Sequence, residues 1–268
     1  MKTAPGICKL CGKDSELQNS HIIPEIFYDL IYDENPRRFR SVPADPSEKI
    51  KYEQQGIREH LLCKDCDNKR LGQWEDYVKR AFIDGKITDG KRPQATKMRD
   101  CIVLQNLDYK KFKLFLLSLL WRMSIAKQDF FANVNLGQQH EEGVRKALLD
   151  EDPLQPEDYP CTFEFLTLGG KHYQDVMLEP YCLRGTFRVY LAIISGIRFS
   201  FFVGGCAAPE PFVSMAINRQ NELVIGQTEI RDDSFLHNAL LEFAKRKDLI
   251  HKTQANKFCL IDAIPHWA

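Results

Sequence analysis

Two Cys-x-x-Cys pairs constrain this chain more than any other feature. ICKLCG carries Cys8 and Cys11 ahead of Gly12, and LLCKDC carries Cys63 and Cys66 at the head of a helical stretch. A tight turn eased by Gly12 aims the first two thiolates at one point, and a first helical turn aims the second two. Four thiolates complete the tetrahedral shell that a structural zinc ion prefers. The remaining five of the nine cysteines, Cys101, Cys161, Cys182, Cys206 and Cys259, stand singly in apolar surroundings and read as core residues. MKTAPGICKLCGKD has no apolar secretory stretch, so the expected location is the cytoplasm, where paired cysteines bind metal rather than form disulfides.

The 51 residues between Cys11 and Cys63 exclude a short zinc ribbon. A knuckle, a hairpin and then cysteines on the first helical turn make the treble-clef arrangement. Residues 1–100 are therefore expected to form a zinc-binding unit ending in a polar connector, DGKITDGKRPQATKMRD, over 84–100. Residues 101–268 are expected to form a second, α+β unit. Apolar spacing from Tyr109 to Lys127 predicts a helix with a wide buried face, and a more polar helix follows over 138–150. Strand-like runs come next: CTFEFLTLG, VMLEPYCLRG, TFRVYLAIISGIRFSFFVGG and PFVSMAINRQNELVIGQ. DDSFLHNALLEFAKRK predicts a last helix, with an acidic start and a basic end. Helix-rich then strand-rich order without βαβ alternation gives an α+β class overall.

Basic and acidic residues number 37 each, so any nucleic-acid surface must be a local patch. The apolar runs at 112–121 and 191–205 are too short to span a membrane, and Arg198 interrupts the second. No membrane partner is expected.

Ten residues after Cys11 comes SHIIP, a histidine on a short strand that Pro24 ends. The set C-x-x-C-G-K, SHIIP and LLC-x-x-C resembles the HNH endonucleases of the ββα-metal class. It is similar above all to uncharacterised bacterial HNH-like proteins that share these motifs and a helical stretch like LSLLWR, here Leu117 to Arg122. Close matching covers about residues 6–80. The resemblance implies that His21 is the general base that activates water, with a divalent ion, magnesium or another, neutralising the scissile phosphate. Water needs a base to become a nucleophile, and the charge building on phosphate needs a cation.

The chain departs from that pattern at three places. Ser20 stands where a metal-binding Asp is usual, Asp67 follows the second cysteine pair in place of His or Asn, and Arg58 falls at the middle Asn position. Asp67 can supply carboxylate oxygen to magnesium. Asn68 and Glu75, seven apart, lie about 20° off one helical line at 3.6 residues per turn and are further candidates for that ion. Glu75 can instead pair with Lys79 on a solvated face. Arg58 is a candidate phosphate clamp, His60 a lesser candidate base, and Arg37, Arg38 and Arg40 around Phe39 are candidate nucleic-acid contacts. The expected function is a metal-dependent endonuclease acting on DNA, with bacterial antiphage defence as its setting by analogy. The alternative is a non-enzymatic zinc module that grips nucleic acid or protein. The second unit offers a surface for a protein partner or for homo-oligomerisation.

Overall fold

The computed structural model describes residues 3–32, 36–41, 51–83, 93–99, 101–174, 177–185, 188–204, 210, 212–234 and 236–238. Among the described residues, thirteen strands and five α-helices make a mixed α+β fold. In the N-terminal part, β1 (Ala4–Ile7), β2 (Asp14–His21) and β5 (Arg58–Cys63) form an antiparallel three-stranded sheet with β2 in the middle. Between β2 and β5 the chain inserts α1 (Glu25–Ile31) and a small ribbon of β3 (Phe39–Ser41) and β4 (Lys51–Glu53). After β5 the chain winds as a π-helix over Asp65–Leu71, as α2 over Gly72–Val78, and again as a π-helix over Lys79–Ile83.

Helix α3 (Tyr109–Ile125) joins this part to the rest. The Asp108 carboxylate caps it by accepting the Lys111 amide at 3.0 Å. The sequence pattern predicts one wide buried face, but the helix is buried almost all round, including Lys113, Ser118 and Arg122. A helix apolar on every side must be covered on every side. Phe112 meets Phe163 of the large sheet at 5.6 Å, stacks on Phe82 at 5.1 Å, and Phe115 lies 6.2 Å from Phe27 of α1. Helix α4 (Gln138–Asp150) packs alongside.

The large sheet has eight strands: β6 (Gln94–Lys97), β7 (Cys101–Gln105), β8 (Cys161–Leu168), β9 (Lys171–His172), β10 (Leu178–Arg184), β11 (Arg188–Ile194), β12 (Ile197–Val203) and β13 (Leu223–Glu229). Their order is β10-β11-β12-β8-β13-β7-β6, with β9 paired to β8, and only β8 and β13 run parallel. Strand alternation sends Phe163 and Phe199, 5.0 Å apart, toward the helices and their neighbours Glu164 and Arg198 to the opposite face. A two-residue turn, Ser195 at φ 51° and Gly196 at φ 73°, closes the β11–β12 hairpin as the right-handed strand twist favours. The Ser195 hydroxyl donates to the Phe27 carbonyl at 2.6 Å, tying this hairpin to α1.

Two expectations change here. The run FVSMAIN is not strand: Phe212–Met215 form a short helix, α5, and the strand begins at Leu223 after a turn in which the Asn221 amide meets the Asn218 carbonyl at 3.0 Å. Four residues of the expected connector, Gln94–Lys97, pair with β7 as β6 at the edge of the large sheet. One apolar core runs from Cys8 to Ile225 across the expected boundary at residue 100, because both sides pack on α3. The expected last helix is helical at Ser234 and over 236–238, and the rest of it lies outside the described residues. Among the described residues no helix is long and apolar enough to cross a membrane.

Candidate active site and metal centre

The turn between β1 and β2 is closed by two hydrogen bonds of 2.9 Å, from the Cys8 amide to the Lys13 carbonyl and from the Gly12 amide to the Cys8 carbonyl. Gly12 takes φ 73°, a conformation glycine adopts at no steric cost. A third bond of 2.9 Å, from the Lys9 amide to the Leu61 carbonyl, docks the knuckle on β5, and the Cys63 amide donates to Cys8 Sγ at 3.3 Å. All four Sγ atoms lie within 4.8 Å of one another, with Cys11 and Cys63 at 3.9 Å. Tetrahedral coordination at about 2.3 Å per Zn–S bond sets S···S near roughly 3.8 Å. The four cysteines fit a metal ion such as zinc.

The thiols are also electrostatically divided. Burial pushes Cys8 up, but the backbone amides of Cys11, Cys63 and Leu10 outweigh it and bring this thiol below its ordinary value. Burial, then the neighbouring thiols, push Cys66 far up. One bound cation reconciles the group, since a thiolate shell needs positive charge at its centre. Helix α4 braces the knuckle: Arg145 Nη1 donates to the Leu10 carbonyl at 2.6 Å, and Arg70 of the π-helix reaches back to the Leu148 carbonyl at 3.4 Å.

At the other end of the same strands lies a second polar group. Residues His21 of β2 and Arg58 of β5 are direct register partners. Pro24 starts α1 so that Glu25, four residues after His21, turns back onto it, and the Glu25 carboxylate touches His21 Nε2. The same carboxylate is 3.5 Å from Arg58 Nη2 and accepts from Arg37 Nη2 at 2.6 Å. Arg37 also donates to Asp29 at 2.8 Å and lies over the Tyr32 ring at 3.7 Å. The His21 and Arg58 side chains are 18% and 17% exposed, while Arg37 is 51% exposed, so the group opens to solvent on the Arg37 side. Burial, reinforced by Arg58 and opposed by Glu25, pushes His21 down to about 4. Its imidazole is therefore neutral at pH 7 and able to accept a proton.

A buried layer lies behind His21. Arg122, fully enclosed in α3, donates from Nη1 to the His21 carbonyl at 2.9 Å and from Nε to the Ser118 carbonyl at 3.3 Å. Its Nη2 lies 2.7 Å from Glu75 Oε1. Burial raises Glu75, against the pull of Arg122, and the charge of Asp67 adds to the rise. Burial also raises Asp67, which hydrogen-bonds Ser20 and lies in the field of Arg122 and Arg58. Arg122 thus fixes the backbone that carries His21 from a helix 101 residues further on.

The structure gathers some of the expected residues and separates others. His21, Arg58 and Arg37 come together, and Asp67 and Glu75 approach them from behind. Asn68 is exposed, and His60 is exposed on β5. The π-winding over Asp65–Leu71 explains why Asn68 and Glu75 do not share a face: an i→i+5 turn holds more residues than the α-turn assumed in aligning them. Glu75 pairs with Arg122 rather than Lys79. Arg38 lies over Tyr52 at 4.0 Å, and Arg40 is in β3 with its side chain outside the described set. Asn68 is exposed while Asp67 and Glu75 lie in each other's field, and among the described residues the cysteines are the one group of three or more His, Cys, Asp and Glu side chains whose ligand atoms meet.

Sequence reasoning did not single out Glu25 or assign Arg122 a role. The available signals were the i,i+4 spacing from His21 to Glu25 and a lone arginine inside an otherwise apolar helical run, where charge is rare unless paired. No protein-family model, curated protein or solved structure matches this chain.

Proposed function

We propose that the protein is an HNH-type endonuclease that hydrolyses phosphodiester bonds in DNA. The observation that carries this is the meeting of His21 and Arg58, on strands that lead to the four-cysteine centre, with Arg37 of the insert between them. The order knuckle, hairpin, helix also supports a treble-clef unit of the ββα-metal class. In this reading zinc is structural, because four cysteines leave no open coordination position.

His21 takes a proton from water as the water oxygen attacks phosphorus. The bond to the leaving oxygen breaks, and that oxygen takes a proton from solvent. Arg58 and Arg37 hold the phosphate oxygens, as guanidinium groups do through paired N–H donors. Asp67, Asn68 and Glu75 remain the candidates to hold a divalent ion, which would neutralise charge on the phosphate, and no step is assigned to it. Magnesium, manganese, nickel and EDTA arms of a plasmid-cleavage assay decide that requirement. The second reading, a non-enzymatic zinc module for nucleic acid or protein, draws on exposed Asn68 and on Ser20 standing where a metal-binding Asp is expected.

The test is His21→Ala. Cleavage is expected to fall by roughly 10²–10⁴-fold, with zinc content and DNA affinity nearly intact, because thiolates hold the metal and arginines hold the polyanion. A variant that cuts as fast as the parent overturns the base assignment. A parent that binds DNA but cuts nothing with any of these ions favours the binding module.

A further inference from the structure

We propose that Glu25 is a built-in occupant of the phosphate seat: its carboxylate fills an oxyanion site made by His21, Arg37 and Arg58, and a DNA phosphodiester must displace it to bind. This rests on the cluster being a phosphodiester site, as proposed above, and adds a form of self-inhibition to it.

Carboxylates and phosphates are recognised by the same chemistry, charge-assisted N–H donors arranged in a fork. Both Glu25 oxygens are engaged, one by Arg37 at 2.6 Å and the other by His21 and by Arg58 at 3.5 Å. Three donors from separate elements converge on one carboxylate at the start of a helix.

The seat is arranged to outlast its occupant. Arg37 keeps its second carboxylate, Asp29 at 2.8 Å, and its stacking on Tyr32 when Glu25 leaves. The buried ε-nitrogen of Arg58 has no hydrogen-bond partner among the described residues, so this arginine holds a donor that Glu25 does not use. Glu25 itself is 31% exposed, and its three side-chain torsions allow it to swing to solvent without moving α1. Its departure opens the His21 edge that it now contacts to whatever enters the seat.

The experiment uses the zinc-loaded full chain, a fluorescein-labelled 12-base-pair DNA duplex read by anisotropy across a salt series, and inorganic phosphate as competitor. Glu25→Gln and Glu25→Ala are expected to bind the duplex about tenfold tighter than the parent at low salt, with a steeper salt dependence, by about 0.9 in log–log slope for each added phosphate contact. Inorganic phosphate is expected to compete more strongly in both variants. Glu16→Gln makes the same charge change at an exposed position on β2 and is expected to stay within twofold of the parent. Unchanged or weaker binding in both Glu25 variants, or equal tightening by Glu16→Gln, overturns the proposal. Because binding is read without cleavage, the two ideas fail separately. Tightening in a protein that never cuts keeps the seat and removes the nuclease. Cutting by the parent without tightening in the variants keeps the nuclease and removes the seat.

Discussion

Two ion-paired clusters of similar composition lie on different layers of this molecule, and they are built to different standards. On the outer face of the large sheet, Arg198 contacts Glu164, donates to Asp233 at 2.7 Å and to the Thr228 hydroxyl at 3.2 Å. Each of its three guanidinium nitrogens has a partner, and the side chain is 17% exposed. Around His21, the Arg58 guanidinium is as deeply placed, yet its ε-nitrogen is unpaired among the described residues and its contact to Glu25 stretches to 3.5 Å. Every guanidinium nitrogen of Arg198 is paired; Arg58 keeps one donor unused among the described residues. A buried polar group left short of partners is costly, and that makes this cluster the candidate site of the two.

The strongest way to break the comparison is at the cysteines. Replacing Cys63 and Cys66 with serine is expected to remove the metal and on the order of 10 kcal/mol of coordination free energy. Because β5 ends at Cys63 and begins at Arg58, the His21 cluster is expected to come apart while the Arg198 cluster stays closed. Elemental analysis and limited proteolysis check this, with new cuts expected in residues 1–83 and none in β11 or β12. Metal-free parent protein that resists protease throughout contradicts it.

Next in size, Arg198→Met is expected to cost about 3–5 kcal/mol, because it leaves Glu164 and Asp233 facing each other without a cation. A denaturant midpoint lowered at unchanged slope, with DNA cleavage by the folded fraction unaltered, fits a structural cluster. Loss of cleavage from folded protein makes the two clusters alike and undoes the distinction.

The pH dependence sharpens it further. His21 is held near 4 in the folded chain, against 6.5 for a free imidazole. Between those values the unfolded chain takes up a proton that the folded chain refuses, so this contribution is whole above about pH 6.5 and is lost as pH falls toward 4. The expected loss is on the order of 1–3 kcal/mol across that window, absent in His21→Asn and present in Arg198→Met. The acid limb of kcat/KM for cleavage is likewise expected near pH 4 rather than 6.5. Chemical denaturation at several pH values and a pH–rate profile read these directly. The smallest effect is that of Arg37→Ala. With half its side chain in solvent, this arginine is expected to contribute under about 1 kcal/mol of stability while weakening DNA binding severalfold.

Much of the cysteine centre and its surroundings can be read along the chain, and the reasons are local. Cys-x-x-Cys spacing fixes where thiolates point, and apolar periodicity marks α3 and α4 to within two residues of Tyr109–Ile125 and Gln138–Asp150. His21 and Arg58 could be placed on neighbouring strands by alternation, and they are register partners. What periodicity could not supply was winding. A seven-residue π-helix after Lys64 turns Asn68 outward, and a helical wheel drawn at 3.6 residues per turn cannot anticipate it. Nor could it supply distance: the link from Arg122 to His21 spans 101 residues, and only the packing of α3 against the N-terminal sheet brings them together. A pattern read within one segment reports which face is buried, not what lies against it.

That dependence on α3 has a consequence for how the chain is made. The ribosome releases the four cysteines early, at about 5–20 residues per second, but the helix that packs on α2 behind them is finished only at Ile125. For several seconds Leu61, Leu62, Trp74 and Tyr77 have only the earlier part of their core, with α3 still to come. An ion bound by the four cysteines would then serve as a timer as much as a clamp. It would hold a half-built sheet in shape, against competing collapse, until a segment synthesised later arrives to seal it.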